Sequence, residues 1–200
     1  MERRTPPPGR IRRLAALALG LVGIAALLYL AGRPLGGGEQ SPSFFVIGSA
    51  QPGIQIGQIA PGTAAAPSTA SLALTDLDSA PVAFADFNGK PFWLLFWKTA
   101  CPPCEAEAAD VAAAYAAHRP DGLVLLGVDL WDTAAAVRDY EASHALDYPI
   151  AVANTSALMD LYGVWGAPTH YFIAPDGVIR DRYFGPMSRE LIDQGIGKII

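Results

Sequence analysis

FWKTACPPCEAE, residues 96–107, is the stretch that decides the fold. It grows out of PFWLLFW (91–97), a continuously apolar run of the kind that forms a strand buried on both faces of a helix-covered sheet. Beyond the second cysteine the chain turns rich in Ala and Glu. Pro102 and Pro103 fall in the first turn, Glu105 and Glu107 lie early, and Arg119-Pro120 is a stop, which predicts a helix over 102–118. Cys101-Pro102-Pro103-Cys104 therefore sits at a strand-to-helix junction. The first thiol lies beside unpaired N–H groups and the positive end of the helix dipole, which favours the thiolate over a reference pKa of about 8.5. The thiolate is the form that attacks disulfides. Cys104 follows three residues later on the same helical face, so Cys101 reads as nucleophile and Cys104 as resolving thiol. Pro102 and Pro103 stiffen the loop and withhold two N–H donors from the sulfur.

Downstream, 123–130 (LVLLGVDL) reads as a second buried strand and 133–144 as a helix with Asp132 or Thr133 as its N-cap. A short strand over 148–152 and a short helix over 156–162 follow. Strands over 169–174 and 178–184 are joined by the Pro175-Asp176-Gly177 turn, and a last helix starts near Ser188. Upstream, Leu72, Leu74 and Leu77 alternate with small polar residues before Asp78-Ser79-Ala80-Pro81, with 82–84 as the return strand of a hairpin. A βαβ unit followed by a hairpin and a terminal helix implies an α/β fold, with a mixed central sheet, helices on both faces and a right-handed crossover. Residues 71–200 form this domain, with the first hairpin as its N-terminal extension.

The remainder of the chain differs in composition. Residues 1–33 hold six Arg and one Glu, a formal +5, which leaves −10 for everything after them. An acidic body in a chain with only three Lys excludes a nucleic-acid partner, which would need clustered basic residues. With 52% hydrophobic and only 16% charged residues, general disorder is excluded as well. Residues 14–32 are nineteen uncharged, mostly aliphatic positions. As a helix they would cross about 29 Å of hydrocarbon. Arg3, Arg4, Arg10, Arg12 and Arg13 precede the run and only Arg33 closely follows, so the positive-inside bias makes 1–13 a cytoplasmic segment and sends the domain outward. No small-x-small cleavage site directly follows the run, which favours an uncleaved anchor in the cytoplasmic membrane. Residues 33–70, rich in Gly, Pro, Ser and Ala, have the composition of a linker. The apolar island at 54–59 within it is compatible with a tether or with an extended strand docked on the domain.

Other uses of two cysteines fit less well. A structural disulfide closing so short a loop would constrain the unfolded chain little. Zinc needs two more ligands, and His118, His144 and His170 form no finger pattern. Covalent haem needs His after the second cysteine, where Glu105 stands.

FWKTACPPCEAE at 96–107, NGKP at 88–91 and GAPTHYFIAPDG at 166–177 together resemble the TlpA/ResA-like membrane-anchored thioredoxin family, over about residues 56–200. The resemblance implies a thioredoxin fold, a cis Ala167-Pro168 bond facing the cysteines, and dithiol-disulfide exchange outside the cytoplasmic membrane. It also implies a reductant without a bound cofactor or metal, fed by a membrane electron donor. The implied substrates are proteins with disulfides, apocytochrome c or a copper-site assembly protein. In this picture Ala167, just before the proline, offers backbone groups to a substrate strand. Relatives carry an acidic residue near the site after the second buried strand, which corresponds to Asp132, or in a shifted register to Asp129. Trp97 and Trp165 read as packing groups flanking the site, and His170 as a strand residue rather than a base. The chain departs from the family at Ala100, where an aromatic residue is usual, and at Lys98 and Thr99, where small residues are usual. A peroxiredoxin would have Thr at position 98. A copper chaperone of the Sco type would separate its cysteines by three residues rather than two. A disulfide donor of the same fold remains the alternative direction for the chemistry.

Overall fold

The computed structural model describes residues 53–66, 72, 74–130, 132–153 and 156–200. The expected cytoplasmic segment at 1–13 and membrane span at 14–32 lie outside these. Among the described residues no helix is long and apolar enough to cross a membrane. The elements are β1 (Leu74–Asp76), β2 (Phe92–Trp97), α1 (Pro102–His118), β3 (Val124–Asp129), α2 (Ala134–His144), β4 (Ile150–Ala153), α3 (Ser156–Tyr162), β5 (Thr169–Ile173), β6 (Ile179–Phe184) and α4 (Arg189–Ile196).

All six residues of β2 are buried, as its unbroken apolar sequence requires. The sheet runs β1-β4-β3-β2-β5-β6. β2 pairs parallel with β3, and β3 with β4, while the β1–β4, β2–β5 and β5–β6 pairs are antiparallel. Side chains alternate across β2. Trp93, Leu95 and Trp97 enter one core with α1, α2 and α4, whereas Phe92, Leu94 and Phe96 enter the other with Phe84 and the α3 residues Leu158 and Tyr162. The mixed sheet with helices on both faces is the thioredoxin-like arrangement. α4 approaches closely at Gly195, where a Cβ would stand 2.5 Å from the Phe172 ring, so only glycine lets the helix settle on β5.

One expectation changes and one open reading is decided. The N-terminal hairpin forms only at its root: Val82 N–H donates to Leu74 O at 3.0 Å and Thr75 bridges Pro81, after which the chain enters a 3-10 turn, Phe84–Phe87. Burying Phe84 between the rings of Phe92 (5.5 Å) and Tyr162 (6.0 Å) draws the chain off the sheet. β1 pairs with β4 instead. The open reading is the island at 54–59: at 57–60 the chain docks against the turn before β6 and the first residue of that strand. Gly57 N–H donates to Ile179 O (2.8 Å), Ile179 N–H to Gln58 O (2.9 Å) and Ala60 N–H to Gly177 O (2.8 Å), while Ile59 bridges Val178. Backbone groups of an outer strand need partners whatever side chains supply them, so a Gly/Ala-rich segment serves.

Candidate active site

Cys101 is the N-cap of α1, in extended conformation at φ −134° and ψ 96°. The next two positions are Pro102 and Pro103, exposed and without N–H groups, so the first donor of the helix is that of Cys104. It donates to Cys101 Sγ at 3.3 Å. The double proline thus removes two donors and directs the third onto the sulfur, at the positive end of the dipole. Cys101 and Cys104 are joined as a disulfide with Cα atoms 5.2 Å apart, and they are only 8% and 4% exposed. The Ala167 carbonyl oxygen lies 3.6 Å from Cys101 Sγ, and the Ala167-Pro168 bond is cis. Pro168 is buried, and Thr169 Oγ1 donates to Gly166 O at 2.8 Å, fixing this loop against the cysteines.

Asp132 lies on the approach to Cys101 rather than at a helix cap. Its Oδ2 accepts from Thr99 N–H at 2.7 Å, and its own N–H donates to Asp129 Oδ1 at 2.7 Å. The N-cap of α2 is Thr133, whose Oγ1 accepts from Ala136 N–H at 3.3 Å. Burial pushes the Asp132 pKa up, but hydrogen bonding with Thr99 and Asp129 and the charge of Lys98 together bring it below the ordinary value. An ionised Asp132 therefore ties the loop before Cys101 to the end of β3. Trp97 is 3% exposed and lies 4.9 Å from the Tyr140 ring. Gly127 makes room for it, since a Cβ there would come within 2.9 Å of the indole nitrogen.

Trp97, Leu95, Tyr140 and Tyr148 wall a cleft into which Cys104 and Glu107 both open. Glu107 is the residue that sequence reasoning missed. It is 3% exposed, and its Oε2 accepts from Met187 N–H at 2.8 Å. His170, fully buried on β5, places Nε2 3.3 Å from the same oxygen, oblique to the line of a good hydrogen bond. Trp93 Nε1 donates to His170 Nδ1 at 3.3 Å. Because an indole can only donate, Nδ1 of the neutral ring is the acceptor and the proton belongs on Nε2, facing the carboxylate. Burial first, then neighbouring groups that include the Glu107 charge, raise the pKa of Tyr140 and Tyr148. A signal for Glu107 was present in the sequence: positions 104, 108, 111 and 115 form the apolar stripe of α1, and 107 falls inside it. An early glutamate in a helix is, by position alone, explained as a partner of the dipole. Trp165, read as a packing group, is instead 72% exposed, because Val164 before it takes the buried place at 3%.

Glu105, next to Cys104, meets His144 of α2, with Oε1 2.6 Å from Nε2. The His144 ring stacks on Tyr140 at 3.9 Å. The hydrogen bond to His144 is the main cause lowering the Glu105 pKa, and the same bond is the main cause raising that of His144. A lowered carboxylate stabilises fully above its unfolded value and loses this as pH falls; a raised histidine stabilises fully below its unfolded value and loses this as pH rises. The pair is therefore at full strength between the ordinary values of 4.5 and 6.5 and weakens on both sides. We expect the stability lost in His144→Asn, from urea unfolding across pH, to be greatest in that window and to shrink in high salt. A pH-independent difference contradicts the pairing.

A family model described as AhpC/TSA family matches residues 56–182. Among curated relatives, the thiol-disulfide oxidoreductase ResA of Bacillus thuringiensis (strain Al Hakam) is 28% identical over 146 residues, covering 73% of this chain and 79% of its own. ResA of Oceanobacillus iheyensis is 28% identical over 147 residues, 74% of this chain and 69% of its own. Among solved structures, StoA of Bacillus subtilis aligns with a TM-score of 0.53 at 25% identity, covering 62% of this chain and 97% of that one. A secreted Mycobacterium tuberculosis disulfide oxidoreductase, described as homologous to E. coli DsbE, aligns with a TM-score of 0.56 at 24% identity, covering 62% and 92%.

Proposed function

Because the chain belongs to the AhpC/TSA family, we propose that its Cys101–Cys104 pair works as a thiol-disulfide oxidoreductase of the ResA and StoA kind. The observation that carries this reading is Cys101 Sγ held between the Cys104 N–H at 3.3 Å and the Ala167 carbonyl at 3.6 Å, at the start of a helix. In the reduced protein the Cys101 thiolate attacks a substrate disulfide, forming a mixed disulfide and expelling one substrate thiolate. Cys104 then loses its proton to Glu107 in the shared cleft and attacks Cys101 Sγ. The second substrate thiolate leaves and the Cys101–Cys104 disulfide remains. No cofactor is needed, since two electrons pass from the dithiol to the substrate.

The direction we propose is reduction of protein disulfides, in cytochrome c maturation or copper-site assembly, with electrons resupplied by a membrane donor. We place the domain outside the cytoplasmic membrane, anchored through residues 14–32. Five Arg before that run and one after it support the orientation. The test is the reduction potential of the full chain in glutathione and dithiothreitol buffers. A reductant is expected near thioredoxin's value of about −270 mV, and a value near about −120 mV contradicts this direction in favour of a disulfide donor.

A further inference from the structure

Trp165 is 72% exposed while Trp93 and Trp97 are 0% and 3%. The loop that carries it is nevertheless fixed on both sides. Val164 is 3% exposed and its N–H donates to Met159 O at 2.8 Å. Gly166 O accepts from Thr169 Oγ1 at 2.8 Å, and Ala167 packs on the core that holds both cysteines, its carbonyl 3.6 Å from Cys101 Sγ. The backbone beneath the indole is already ordered and only two side-chain torsions remain to settle on contact, which suits an aromatic anchor at a binding surface. Gly166 is exposed, and a Cβ there would meet nothing within 4 Å; Ala100, the neighbour of Cys101, is exposed too. The approach to the sulfur along 165–167 is open.

We propose that Trp165 is a specificity-determining residue. Its indole takes an aromatic or aliphatic side chain of a polypeptide substrate, two residues from the cysteine that Cys101 attacks. This rests on the disulfide-exchange reading above and deepens it. Trp165 stands two residues before Ala167, so their Cα atoms are at most about 7 Å apart, within the span of two residues of an extended substrate. Side chains two apart on an extended peptide point to the same side. A substrate segment lying along 165–167 with its cysteine beside Ala167 therefore carries a second side chain over the indole. An apolar side chain gains most there, because both surfaces leave water together.

The test uses the reduced full chain and nine-residue peptides. Each peptide has one cysteine as its mixed disulfide with thionitrobenzoate, and Phe, Leu or Gly two places before or two places after it. Attack by Cys101 on the peptide sulfur releases coloured thionitrobenzoate and leaves a Cys101–peptide disulfide. Phe or Leu at one of the two places should raise the second-order rate constant of thionitrobenzoate release over Gly by about tenfold. In Trp165→Ala the ratio should fall to about one, and Trp165→Phe should restore part of it. The indole is exposed, so its removal leaves no cavity to unfold the protein. Rates independent of the side chain, or a ratio unchanged in Trp165→Ala, overturn the inference alone. No reaction with any peptide, while Cys101 still alkylates with iodoacetamide, overturns the disulfide-exchange reading and the inference with it.

Discussion

Cys104→Ser should accumulate covalent complexes with its substrates, whereas Cys101→Ser should reduce none. With Ser at 104 the first exchange still proceeds, but nothing resolves the mixed disulfide, so the intermediate persists until an external thiol releases it. With Ser at 101 the only thiol left is Cys104, 4% exposed inside the helix. It lacks the N-cap position where the Cys104 N–H reaches the sulfur at 3.3 Å. The loss in turnover with insulin should exceed about 10³-fold for either variant, on the scale seen when a nucleophile is removed. Complexes visible on non-reducing gels with Cys101→Ser but not with Cys104→Ser would reverse the roles. Undiminished insulin reduction by Cys101→Ser would remove the mechanism altogether.

Glu107→Gln carries the second large effect. Glutamine keeps an oxygen to accept from Met187 N–H, so the loop at 187 stays in place, but it cannot take up a proton. Resolution requires Cys104 to become a thiolate in a cleft closed by Trp97, Tyr140 and Tyr148, where Glu107 is the carboxylate. General-base assistance contributes on the order of 10²-fold or more, so resolution should slow by about that factor while the first attack by Cys101 is spared. Single-turnover kinetics separate the two steps. A resolution rate within about twofold of the parent would return Glu107 to a structural role.

The sequence signals that worked were long-range in consequence but local in form. Unbroken apolar runs became β2 and β3, the Ala-rich stretch after Cys104 became α1 with its expected ends, and the Cys-Pro-Pro-Cys spacing placed both sulfurs at the helix start. Readings failed where a tertiary contact outweighed the local pattern. The return strand over 82–84 lost to the burial of Phe84, while at 57–60, where composition left tether and docked strand both open, the backbone at Gly177–Ile179 selects the docked segment. Glu107 was hidden because acidic residues early in a helix already have a sufficient explanation. Its pairing with Met187, 80 positions away, depends on how α4 is led in after β6. Trp165 misled for the opposite reason, since Trp is usually well covered and only the fold shows that Val164 takes the inward place.

The strip at 57–60 covers the Gly177–Ile179 end of the sheet's β6 border. An open outer strand is a template on which another chain can add itself, the first step toward edge-to-edge aggregation. Here the β6 side is shielded in part by the molecule's own chain at 57–60, and the opposite border of the sheet is β1, only three residues long. Another chain therefore meets a shortened border on either side of the sheet, which weakens both as templates for an added strand.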